Sequence, residues 1–234
     1  ERSSEMTEPG VSRRWRRIVT AAVVIIAAAA LWLLGDEMLA WWARRMAARR
    51  MDAGALSAAE RCLAWSARLD PGAGDTDLMR AACFRRLRQN DRFAEALESA
   101  KRKGASDEGL RQEVELGVLE SGAGNERVED RMLALIEAGV SPHDAATAAV
   151  YGLLARQEPE RARRVLDAWA ADFPDEAQVA YMRGVYWWWL GDQGAQAQAE
   201  FENALARQPR HERAHGALAK LLEENHQLDL ALRQ

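Results

Sequence analysis

The stretch Asp175–Pro209, DEAQVAYMRGVYWWWLGDQGAQAQAEFENALARQP, reads as two amphipathic helices. A turn at Gly191-Asp192 joins them and a proline closes the unit. Gly184 is the small residue of the first helix; in the second, Ala197 precedes Phe201 by one helical turn. Antiparallel helices approach to about 8–10 Å only where small side chains sit at the crossing. A Gly or Ala in the first helix then receives a larger side chain from the second, and an Ala in the second faces back.

Weaker copies of this unit recur on both sides. The second-helix series is Ala59-x-x-x-Leu63, Ala96-x-x-x-Ala100, Arg131-x-x-x-Leu135, Ala162-x-x-x-Leu166, Ala197-x-x-x-Phe201 and Ala231, at steps of 37, 35, 31, 35 and 34. The first-helix series is Ala47, Ala82, Gly117, Gly152, Gly184 and Ala219, at steps of 35, 35, 35, 32 and 35. Pro174 and Pro209 are 35 apart. A period near 34 with a small residue in each helix resembles the tetratricopeptide repeat. The resemblance runs from about residue 38 to the end and implies an all-α solenoid of five to six helical hairpins. The units are approximately 38–71, 72–105, 106–140, 141–174, 175–209 and 210–234, the last incomplete. Their turns are expected at Asp52-Ala53-Gly54 in the first unit and Asn90-Asp91 in the second, with Ser141 as the N-cap and Pro142 as the first helical residue of the fourth. The third unit departs from the pattern: Arg131 replaces the usual Ala, and the loop Ser121–Asn125 is expanded. The fourth is shortened at Gln157-Glu158-Pro159. Unit six stops a few residues into its second helix, so the chain is expected to continue in a longer protein or to borrow a partner's helix.

Composition supports this reading. At 234 residues and 48% apolar content, one solenoid domain with a terminal appendage is expected, and no stretch alternates as a strand does. A net charge of −4 argues against a nucleic-acid footprint. Lys101, Lys103 and Lys220 are the only lysines, an arginine bias that with the alanine excess points to a GC-rich bacterial genome. Cys62 and Cys83 form no C-x-x-C and make a poor metal site. They read as two small buried residues, with a disulfide as the alternative in an oxidising compartment.

Residues 1–12 are polar and aperiodic and are expected to be disordered. Residues 13–37 read as a membrane anchor with a basic flank. Arg13, Arg14, Arg16 and Arg17 precede an apolar run of seventeen residues, Ile18 to Leu34, with Ile25 near its middle. At 1.5 Å per residue the run covers about 25 Å, slightly short of a ~30 Å hydrocarbon core. Trp15 before it and Trp41-Trp42 after it suit the headgroup level. A cleaved signal peptide would have a shorter apolar region and a small-x-small site. The arginine cluster sets the N-terminus inside, which makes the chain a single-pass bacterial inner-membrane protein with a periplasmic repeat domain. Only Gly35-Asp36-Glu37 separates anchor and array, so the first repeat should sit close to the bilayer.

His211-Glu212-Arg213-Ala214-His215 fits H-E-x-x-H, the zinc-binding helix motif of metalloproteases. It falls at an inter-repeat turn just after Pro209, and no third ligand stands out, so neither a metal nor a catalytic role is expected. G-x-S-x-G and Gly-rich phosphate-binding patterns do not occur. No cofactor or small-molecule substrate is expected, and the chain reads as a non-enzyme. In the tetratricopeptide family the first helix of each hairpin lines a concave groove that holds a partner protein. Carried onto this sequence, the groove candidates are Met79, Cys83 and Arg86, then Val114 and Val118, Arg156, Tyr181, Val185 and Trp188, and Lys220. Tyr, Trp and Arg dominate binding hot spots. Trp187-Trp188-Trp189 spans about 300° of helix, so at least one is expected to face the groove or a partner. These features imply a non-catalytic scaffold or assembly factor with a membrane-associated protein partner. The alternatives are a recruiting arm of a longer enzyme and a structural subunit of a bioenergetic membrane complex.

Overall fold

The computed structural model describes residues 35–191 and 193–224. Eleven helices follow one another among these residues, without a strand. Helix α1 covers residues 35–52. The others are α2 (Leu56–Leu69), α3 (Gly74–Arg86), α4 (Asn90–Arg102), α5 (Asp107–Ser121), α6 (Val128–Glu137), α7 (Pro142–Ala155), α8 (Pro159–Asp172), α9 (Ala177–Leu190), α10 (Gly194–Arg207) and α11 (Glu212–Glu224). The apolar run Ile18–Leu34 and its arginines lie outside the described residues, as do residues 1–12 and Ala231. No helix among the described residues is long and apolar enough to cross a membrane. Gly35-Asp36-Glu37 are helical and belong to α1, so no loop precedes the array there.

The hairpins close where the small residues stand. Ala59, Ala96, Ala162 and Ala197 are buried, and so are the residues one turn later, Leu63, Ala100, Leu166 and Phe201; Leu135, one turn after Arg131, is buried as well. In the α9/α10 hairpin a Cβ at Gly184 would lie 2.5 Å from two ring carbons of Phe201. Gly184 therefore seats the Phe201 ring. Gly191, at φ +85°, ends α9 in the left-handed conformation that stops a helix cleanly.

The third hairpin is built differently. Arg131 occupies the crossing where the other second helices carry Ala, and its Nε pairs with Glu115 at 3.3 Å and Glu126 at 3.5 Å. Its bulk holds α6 off α5, leaving a cleft of about 620 Å³ between them. Helix α5 packs more extensively on α7 than on α6. The small residues follow this change. A Cβ at Gly152 would run into the carbonyl oxygen of Leu119, so α7 crosses the end of α5 there. A Cβ at Gly117 would meet Phe93 of α4 at 3.0 Å. Both glycines sit at inter-repeat crossings rather than inside their own hairpins.

Two local expectations need correction. Asn90 is the first residue of α4, and the turn before it is Leu87–Gln89, with Arg88 at φ +58°. Ser141 stands at the N-cap of α7, with Pro142 next, but its hydroxyl makes no cap bond; the N-terminal proline makes one backbone donor unnecessary. Ser106, in contrast, caps α5 by accepting from the Gly109 N–H at 3.2 Å. Cys62 and Cys83 are both free thiols: Arg50 donates to Cys62 Sγ at 3.1 Å, and Cys83 Sγ donates to the Leu56 carbonyl at 3.3 Å.

The apolar core is divided. One cluster joins α1, α2 and α3 through Ala47, Met51, Leu56, Leu63 and Cys83. A second joins α3 and α4 through Ala81, Phe84 and Ala96. The largest runs from Leu116 in α5 to Leu222 in α11. Yet the two ends of the array touch. The Glu212 N–H donates to the Gly54 carbonyl at 3.2 Å, and the Ser57 N–H donates to the Glu212 carboxylate at 2.7 Å. Gln208 Nε2 donates to the Asp52 carbonyl at 3.2 Å. The array closes on itself.

Candidate functional site

Where the two ends meet, the inner side of the array holds a half-open chamber of about 320 Å³. Met51, Asp52, Gly54 and Leu56 line one side, Arg86 reaches in from α3, and the starts of α7, α9 and α11 supply the rest. The repeat geometry explains why these residues meet. Thr147, Gln178 and His211 stand 31 and 33 residues apart, near the same place in three successive units. Gln178 Nε2 donates to Thr147 Oγ1 at 3.2 Å, and His211 Nε2 meets Gln178 Oε1 at 3.0 Å. His211 Nδ1 accepts from the Ala214 N–H at 3.1 Å, so the ring proton resides on Nε2 and is donated to Gln178. His211 is thus the side-chain cap of α11. It is 2% exposed, and burial, with Arg213 nearby, pushes its pKa down to about 4.

The chamber charges are largely paired. Arg86 binds Asp144 at 2.6 Å, and Glu176 stands 3.1 Å from His143 Nδ1. Burial raises the Glu176 carboxyl above its ordinary pKa. Arg213 is placed by aromatic rings. Its guanidinium lies 4.8 Å from the Tyr181 ring centroid and 5.4 Å from that of Tyr151, and it donates to the Tyr151 hydroxyl. Arg88 lies 4.5 Å from the Tyr151 centroid. The two hydroxyls, Tyr151 and Tyr181, are 3.2 Å apart. Burial raises the Tyr151 hydroxyl above the usual tyrosine range, so it remains a neutral donor and acceptor. Next to this cluster Arg85, 4% exposed, pairs with Glu113 at 2.9 Å and Glu120 at 3.6 Å.

The groove residues expected from sequence scatter. Arg86 lines the chamber. Tyr181 is buried behind the lining, with its ring 5.0 Å from that of His211. Met79 and Cys83 pack into the α1–α3 cluster. Val114 and Val118 border a different cavity, about 320 Å³, beside Phe93 and Leu97. Arg156 does not face the chamber: it follows α7 and donates to the carbonyls of Gly122, Ala123, Gly124 and Glu126, tying down the expanded loop. Val185 packs on the large core. Trp188 lies between hairpins, edge-on to Phe201 at 6.2 Å, with Nε1 donating to Glu224 at 2.9 Å and Lys220 Nζ 5.2 Å from its ring centroid. Trp187 is half-buried on the core, and Trp189 is the exposed member of the triplet. The H-E-x-x-H side chains diverge: His211 caps α11, Glu212 binds the Ser57 amide, and His215 Nε2 meets the Pro209 carbonyl at 3.0 Å.

Sequence reasoning missed Thr147, Gln178 and Arg213. The available signal was a polar residue recurring near the start of successive first helices. In the N-terminal half of α1, Trp41 and Trp42 are 52% and 50% exposed, and Met38 and Leu39 beside them are exposed too.

No family model matches the chain, and no curated protein matches it. Among solved structures, a mutant of MamA is similar at 20% identity and a TM-score of 0.36, covering 68% of this chain and 89% of that one. PilW, described as a widely conserved type IV pilus biogenesis factor, is similar at 14% identity and a TM-score of 0.41, covering 83% and 90%.

Proposed function

We propose that the chain is a non-catalytic scaffold or assembly factor that holds a segment of a partner protein on its concave face, close to a membrane. The observation that carries this reading is the chamber itself. Its walls come from six helices, α1, α2, α3, α7, α9 and α11, drawn from both ends and the middle of the sequence. Its arginines, carboxylates and amides are of the kinds that recognise peptide backbone and charged side chains.

Membrane tethering rests on the apolar run Ile18–Leu34 and on the exposed Trp41-Trp42 pair just after it. The same arginine cluster supports a single-pass, periplasmic arrangement in a bacterial inner membrane. The full chain should stay in the membrane fraction after alkaline carbonate washing, and an alkaline phosphatase fused after Gln234 should be active in the cell. Release by carbonate would remove the anchor, and an inactive fusion would reverse the orientation.

The partner test is capture from detergent extracts by the tagged full chain. Arg86→Ala with Asp144→Ala removes a charge pair from the chamber wall without leaving either charge unpaired. It should reduce capture of a membrane-associated protein at least tenfold, with helicity retained. Trp188→Ala with Arg156→Ala, outside the chamber, should leave capture within twofold. The opposite ranking would move the binding surface off the concave face.

A further inference from the structure

The closure of the array is unequal in its chemistry, and that inequality has a mechanical consequence. Helices α1–α4 share their own apolar clusters, and α5–α11 share another. No apolar cluster of described residues bridges the seam where residues 52–57 meet 208–212. Hydrogen bonds and the seating of His211 against Gly54 hold that seam. A Cβ at Gly54 would lie 3.3 Å from the His211 Cα. The hydrogen bonds are reciprocal. Ala55, the N-cap of α2, offers no side-chain cap, and the Glu212 carboxylate takes the Ser57 amide instead. The Gly54 carbonyl takes the first amide of α11 in return. Each helix start thus supplies what the other lacks. Two of these bonds lie at solvent-exposed positions.

The joint between the two bodies is in contact over a narrow region with a cavity beside it. Phe93 of α4 rests on Gly117 of α5, and the cavity beside them is about 320 Å³. Ion pairs from α3 also join the two bodies: Arg85 to Glu113 and Glu120 of α5, and Arg86 to Asp144 of α7. Such pairs keep contact through a small rotation, because charge attraction falls off slowly with distance compared with close apolar packing.

We infer that the chain is a two-jawed clamp: α1–α4 and α5–α11 swing about the α4–α5 joint, and the seam at 52–57 and 208–212 is the latch that shuts the concave chamber. This rests on the reading of the chamber as the partner site and adds its gate. Seam residues 52–56 and 208–211 form part of the chamber wall, so opening the latch widens its mouth for a segment to enter and re-forming it holds the segment.

Hydrogen exchange of the full chain in lipid nanodiscs, read as protection factors for single amides, tests the latch without a partner. In the wild type, the Ser57 and Glu212 amides should be at least tenfold more protected than the Asp91 amide, a first-turn amide of α4 with no cross-array partner among the described residues. Glu212→Ala deletes the acceptor for Ser57 but keeps the backbone amide of residue 212. A latch that opens as a unit predicts a tenfold or greater loss of protection at both positions, with Leu63 and Leu153 in the two jaws unchanged. The clamp is overturned if residue 212 keeps its protection in Glu212→Ala. It is equally overturned if Leu63 and Leu153 lose protection together with the seam, because the ends would then belong to one cooperative body. Unchanged capture by the Arg86→Ala, Asp144→Ala protein would sink the partner site while leaving a working latch intact.

Discussion

Gly184 is small because Phe201 must be large. With Phe201 fully buried, its ring has nowhere to retreat, and a methyl group at Gly184 would overlap it. Gly184→Ala should destabilise the protein by about 1–3 kcal/mol in urea titration. Phe201→Leu in the Gly184→Ala background should recover part of that loss, a coupling of about 0.5–2 kcal/mol that simple additivity would not show. The opposite case is Gln157, an exposed residue held at φ +60° after α7. A side chain is strained in that conformation, and glycine is not. Gln157→Gly should therefore stabilise the fold by about 0.5–1 kcal/mol, measured as a shift in urea midpoint at constant slope. The Gly184 site could be read from sequence because the repeat fixes which residue faces which. Gln157 could not, because nothing in its side chain marks a left-handed backbone.

At the scale of the helix, α11 begins on a histidine cap, and the cap makes its stability depend on pH. The folded pKa of His211, about 4, lies below its ordinary value of 6.5. The unfolded chain therefore takes up the proton first. Stability from this group is full above pH 6.5, falls by about 1.4 kcal/mol per unit as pH drops towards 4, and is flat below that. The complete loss is on the order of 3 kcal/mol. Protonated Nδ1 can no longer accept from Ala214, which is the structural form of the same statement. His211→Asn keeps a capping oxygen and cannot titrate. The difference in unfolding free energy between wild type and this variant should shrink as pH falls from 6.5 to 4; a constant difference would show that His211 does not titrate between folded and unfolded states. Helix boundaries were broadly legible, since proline, glycine and small-residue spacing set them. The α5/α6 hairpin was legible only as an irregularity. Arg131 announced that the crossing was different, but where Gly117 and Gly152 would then pack depended on helices in neighbouring units.

At the scale of the whole molecule, the sequence specified a stack of hairpins and left its curvature open. Curvature accumulates from small rotations at each inter-repeat crossing, and these depend on features such as the Gly152–Leu119 contact and the wedge at Arg131. Closure therefore could not be read from any one repeat, nor could the contacts that take Arg156 to the loop at 122–126 and Trp188 to Lys220 and Glu224 of α11. The residues that do face it, Arg86, Gln178 and His211, share the chamber because the ends meet. That meeting is the central claim, and a disulfide trap tests it most directly. Gly54→Cys with His211→Cys places two thiols across the seam, where a Cβ at position 54 lies 3.3 Å from the Cα of residue 211. Cys62 is replaced by serine, while Cys83 can remain, because burial raises its thiol to about 11 and leaves it unreactive. Under mild oxidation at low protein concentration, mass spectrometry should find a 54–211 disulfide within single chains in nearly all molecules; free thiols at both positions, or bridges only between chains, would mean that the array is open and has no chamber.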